Sequence, residues 1–141
     1  LRHRYDAARD STQLHWIPRY WVDGARLIDE PGISHKIAVT AGPSRLAGYW
    51  YTYFFYGSEL QNHLYYIPVT ETGKVIHFGV HDRWQEGLDR DAWLRRLENK
   101  GITHIVSFKP RSVERDWMRQ LPNRFALLYG DDAWGVFRMI K

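Results

Sequence analysis

The stretch Asp89-Arg90-Asp91-Ala92-Trp93-Leu94-Arg95-Arg96-Leu97-Glu98-Asn99-Lys100-Gly101-Ile102-Thr103-His104-Ile105-Val106-Ser107-Phe108-Lys109-Pro110 changes its hydrophobic period halfway along. Up to Lys100 the apolar Trp93, Leu94 and Leu97 mark one face of a helix. Asp89 is placed to cap its first turn, and Lys100-Gly101 supplies a basic last turn and a left-handed stop. From Thr103 to Phe108 the residues form a continuous β-branched and apolar run closed by Lys109-Pro110, which predicts a buried strand. A helix leading directly into a buried strand is the repeating step of a sheet covered by helices.

Downstream, Ser112 is placed to cap a helix with Val113, Trp117 and Leu121 on one face and Pro122 beyond its end. Phe125 to Tyr129 and Trp134 to Ile140 read as two strands around the turn signal Gly130-Asp131-Asp132-Ala133. Upstream, Leu14, Ile17, Trp21, Ala25 and Ile28 outline a helix face that Pro18 splits and Pro31-Gly32 ends. Lys36 to Thr40 predicts a strand, residues 46–56 an aromatic segment of ambiguous structure, His63 to Val69 a second strand, and Lys74 to Phe78 a further short one. The alternation predicts an α/β fold: a three-layer, Rossmann-like, mainly parallel sheet with a C-terminal antiparallel hairpin at one edge. Residues 1–35 are expected to be a linker and N-terminal helix, and residues 36–141 a single α/β domain.

Composition narrows the function. The chain has 141 residues, 44% of them apolar and 26% charged, enough for one core without disulfides or metals. No apolar run approaches the ~18 residues that cross a bilayer. The net charge is +4, but acids interrupt the bases, as in Glu114-Arg115-Asp116; nucleic-acid binders concentrate their cations, so none is expected as a partner. The absence of cysteine removes disulfides, thiolate metal sites and cysteine nucleophiles together. Aromatics reach 16%, and they concentrate in Tyr49-Trp50-Tyr51-Thr52-Tyr53-Phe54-Phe55-Tyr56, a tract suited to stacking on sugars, to a lipid interface or to core packing. The chain begins at Leu1 without a charged-then-apolar leader, which reads as a segment of something longer.

Few residues suggest chemistry. The loop after the first strand, Thr40-Ala41-Gly42-Pro43-Ser44-Arg45, lies where open α/β sheets bind phosphates, but Ser44 stands where GxGxxG needs glycine, and the Walker ending is missing. Gly42, Ser44 and Arg45 are nevertheless a candidate anion contact. His77 and His81 have helical metal-ligand spacing beside Asp82, but Val75 to Phe78 alternates like a strand and Gly79 interrupts, so no metal is expected. His104 reads as a core or edge histidine. No serine occupies a Gly-x-Ser-x-Gly elbow, and Asp131-Asp132 reads as a solvated hairpin tip, not an acid and base pair.

The order Gly48 through Gly57-Ser58-Glu59-Leu60-Gln61-Asn62 to Tyr66-Ile67-Pro68 resembles the soluble C-terminal domain of bacterial polytopic membrane glycosyltransferases related to the dolichyl-phosphate-mannose protein mannosyltransferases. Trp93 to Leu97 with Gly101 to Val106, Glu114 to Trp117, Phe125 to Tyr129 and Trp134 to Arg138 resemble the family's later elements, so the similarity spans residues 36–141. Tyr51 to Phe55 departs from it in lacking proline. The resemblance implies a non-catalytic, extracytoplasmic (periplasmic) accessory domain, tethered through its N-terminus, without a cofactor. The acidic catalytic residues of such transferases lie on loops between membrane helices. Its partners would be the membrane part of its own parent chain and a glycan or lipid-linked sugar, with acceptor positioning as its task. Tyr49, Trp50, Tyr53 and Asn62 join Gly42, Ser44 and Arg45 as candidate contacts. The alternative is a small cytoplasmic α/β protein that binds a nucleotide or other phosphorylated ligand at Gly42 to Arg45.

Overall fold

A computed structural model describes residues 19–40, 54–73, 87–107, 112–130 and 135–141. The elements are α1 (Arg19–Arg26), β1 (Lys36–Val39), β2 (His63–Tyr66), α2 (Arg90–Lys100), β3 (His104–Ser107), α3 (Val113–Gln120), β4 (Phe125–Gly130) and β5 (Gly135–Met139). Both caps foreseen for α2 are present. The Asp89 carboxylate accepts from the Ala92 N–H at 3.0 Å, and Gly101 takes φ +77°, the left-handed geometry that costs glycine least. Ser112 likewise accepts from the Arg115 N–H at the start of α3.

The strands form one sheet in the order β2-β1-β3-β5-β4. β1 runs parallel to β2 and β3, whereas β5 pairs antiparallel with both β3 and β4. This corrects the expected fold class: the sheet is mixed, in an α/β arrangement with three described helices, and not a mainly parallel Rossmann-like one. The cause is the placement of the hairpin, with β5 and not β4 against β3. A connection as short as the one between Gly130 and Gly135 permits only antiparallel pairing, and β5, once laid beside β3, carries the reversed direction into the sheet. The strand expected at Lys74 to Phe78, and the aromatic segment up to Tyr53, lie outside the described residues.

Alternation along the strands divides the core between the two faces. On one face Ala38 and Ile105 join Trp93, Leu94 and Leu97 of α2, Trp117 and Met118 of α3, and Phe137 of β5. Trp93 is central: its ring lies 5.4 Å from Trp117 and 5.7 Å from Phe125. On the other face Ile37, Val39, Val106 and Val136 pack with Ala25 of α1, Ile28 and Phe55. Phe55 is fully buried, so this end of the aromatic tract is core.

Candidate functional site

Two of the three parallel strands, β1 and β3, end in the same pattern, valine followed by a hydroxyl: Val39-Thr40 and Val106-Ser107. Val39 is in register with Val106, and the Thr40 N–H donates to the Val106 carbonyl at 3.1 Å, which continues the ladder and sets Thr40 beside Ser107. Two residues on from Ala38 and Ile105, their side chains fall on the face of the larger cluster. Ser107 pairs in turn with Gly135 of β5. Arg115, from the first turn of α3, lays its guanidinium over this corner, with Cζ 4.7 Å from the centre of the Phe137 ring. A Cβ at Gly135 would come within 2.8 Å of Arg115 Nη1, so the glycine leaves the guanidinium its place.

Thr40, Ser107, Ser112, Glu114 and Arg115 are all buried, so the ends of β1 and β3 and the first turn of α3 with its cap carry one carboxylate, one guanidinium and three hydroxyls. Ser112 is committed to the α3 cap. Among the described residues Thr40 Oγ1, on a residue only 3% exposed, has no hydrogen-bond partner, although burying a hydroxyl unsatisfied costs about 1–3 kcal/mol. The chain leaves β1 toward β2 and leaves β3 toward the opposite edge. The carboxyl ends of β1 and β3 therefore bound a topological switch point, the position at which open α/β sheets bind ligands. Hydroxyls that both donate and accept, with balanced charge beside them, suit a polar ligand rich in hydroxyls.

A second concavity, of about 380 Å³, lies along the outer edge of β2, lined by Tyr65, Tyr66 and Pro68 and by Arg96, Asn99 and Lys100 of α2. Lys100 Nζ sits 4.4 Å from the centre of the Tyr65 ring. Arg96 ties the chain after β2 to the helix, its Nη1 donating to the carbonyls of Pro68 at 3.0 Å and Thr70 at 2.7 Å, and its Nη2 to that of Glu71 at 3.2 Å.

The amino ends of the strands carry the histidines. His104 meets His35 edge to face at 4.8 Å, and His35 Nε2 lies 2.8 Å from Glu30 Oε1. Burial, then the neighbouring His35, holds the His104 pKa down at about 4.

Of the candidate contacts read from the sequence, Gly42, Ser44, Arg45, Tyr49, Trp50 and Tyr53 lie outside the described residues, as do His77, His81, Asp82, Asp131 and Asp132. Asn62 is described. Only 1% exposed, it donates from Nδ2 to the carbonyls of Ile28 and Phe55 and accepts at Oδ1 from the His35 N–H, so the chain itself takes up this amide. Thr40, Ser107 and Arg115 were not among the expected contacts. The signal was the repeated valine-hydroxyl ending of two buried strands, hidden because each hydroxyl alone reads as a strand terminus. Among the described residues no group of three or more histidines and carboxylates is arranged to hold a metal ion, and no helix is long and apolar enough to cross a membrane. Comparison with protein-family models, with curated proteins and with solved structures finds no match to the chain.

Proposed function

We propose that this chain is a non-catalytic, extracytoplasmic accessory domain of a membrane-embedded glycosyltransferase, tethered through its N-terminus, which positions a glycan or protein acceptor at the carboxyl ends of β1 and β3. The order of motifs between residues 36 and 141 supports the assignment to such a transferase. The observation that carries the binding role is the unpartnered, buried Thr40 hydroxyl at the switch point, next to Ser107 and one strand further from the Arg115 guanidinium. A ligand hydroxyl there would complete a hydrogen bond that the fold leaves open. The test is a titration with neutral oligosaccharides followed by NMR, with shifts expected at Thr40, Ser107 and Gly135. Turnover of a polyprenyl-phosphate sugar by this chain alone would sink the accessory role.

The Arg115 guanidinium supports a second reading, a small cytoplasmic protein holding a phosphorylated ligand at the same end, where the chain runs on into Gly42, Ser44 and Arg45. A nucleotide present at 100 times its Kd adds ~2.7 kcal/mol of stability, so melting that a nucleotide panel leaves unchanged counts against it.

A further inference from the structure

Most ion pairs of this surface follow a simple rule: a cation stands beside an acid of its own neighbourhood. Arg26 pairs with Asp23, Arg119 with Asp116, and Arg124 with Glu98 at 2.6 Å. The groove along β2 breaks the rule. Among the described residues it is lined by Arg96 and Lys100 and by no carboxylate. The Arg96 contacts are all to neutral carbonyls, which fix the guanidinium while leaving its charge whole. They use three of the five N–H donors that a guanidinium has. Lys100 rests on the Tyr65 ring, a contact that steers the ammonium without neutralising it. A third cation, Lys36, donates from Nζ to the Lys100 carbonyl at 3.2 Å and so offsets the negative end of α2 beside the groove. Asn99 adds an exposed side-chain amide.

We propose that this groove is an anion site for a phosphate ester, with Arg96 and Lys100 as its cations and Asn99 as a neutral donor. The fixed guanidinium supplies donors in a fork that matches phosphate oxygens, and the ammonium adds a mobile point charge. At about 380 Å³ the space is of small-ligand size. The same chemistry would take a free phosphate ester or the phosphate of an anionic lipid headgroup. This site is separate from the one at Thr40 and Ser107, and the two titrations read different residues.

The test uses the whole chain. Glycerol phosphate is titrated and followed by NMR, while vesicles of phosphatidylglycerol or of phosphatidylcholine are offered in a sedimentation assay. Shifts centred on residues 65–68 and 96–100, weakened ~5-fold by Lys100→Ala and kept by Lys100→Arg, support the site with a free ester. Sedimentation with phosphatidylglycerol alone, again reduced by Lys100→Ala, supports it with the headgroup as source. Either signal should fade as salt screens the charges. Neither ligand binding, or binding indifferent to both Lys100→Ala and Asn99→Ala, overturns the proposal; both positions are exposed, so the variants keep the fold.

Discussion

Asn62 holds Ile28 across 34 residues of chain, its Nδ2 donating to the Ile28 carbonyl at 2.8 Å. The same side chain reaches Phe55 and His35, so one amide joins the segment after α1, the chain entering β2 and the chain entering β1. Asn62→Ala leaves two carbonyls and one N–H without these partners in a buried setting. A loss of roughly 2–4 kcal/mol in chemical denaturation is expected. Asn62→Asp should be worse at neutral pH, because it presents a buried carboxylate to two carbonyl oxygens, and should recover partly in acid. An alanine variant with wild-type stability would show that the clamp contributes nothing.

His104 gives the fold a pH dependence of predictable sign. Its folded pKa is about 4, below the ordinary 6.5 of an unfolded histidine, so between these values the unfolded chain binds the extra proton. The contribution is present above pH 6.5 and is lost as pH falls through 4, up to about 3 kcal/mol in all. His35 and Arg138 oppose the protonation of His104 and Glu30 favours it. Denaturation at pH 7 and pH 4.5 should show the loss, and His104→Gln should flatten it.

The caps of α2 are separable. Asp89→Ala removes the carboxylate from the Ala92 N–H, and Gly101→Ala forces a Cβ onto a residue at φ +77°. Each should cost about 1 kcal/mol. Set at opposite ends of an 11-residue helix, they should add. Denaturation midpoints of the single and double variants check this.

Periodicity and capping made α2, α3 and the hairpin strands legible because their signals are local: Asp89, Gly101 and Ser112 act within a turn of themselves. The direction of the sheet was not local. Nothing within Phe125 to Met139 says that β5 will lie against β3, yet that pairing brings the antiparallel direction inside the sheet. The candidate site divides in the same way. Asn62 entered as a candidate contact through the family resemblance, whereas its bonds to Ile28 and Phe55 depend on tertiary packing. Thr40 and Ser107 became a pair only once parallel register set β1 beside β3. The charge of the β2 groove is tertiary too, because the carbonyls that hold Arg96, those of Pro68 and Thr70, lie 28 and 26 residues away in sequence.

Thr40→Val separates ligand binding from folding. Valine matches threonine closely in shape, so it removes the buried Oγ1 while opening little space. Because that hydroxyl has no partner, its loss relieves a desolvation cost, and the ligand-free chain should gain about 1 kcal/mol. The same change should diminish the stabilisation and the NMR shifts produced by an oligosaccharide, since the hydrogen bond reserved for the ligand is gone. A stabilised fold with weakened binding is the signature of a residue retained for function at some expense of stability. Denaturation of both chains with and without the sugar measures the two quantities together. A valine variant that loses more than about 1 kcal/mol while binding as before would assign Thr40 to the fold and withdraw it from the site.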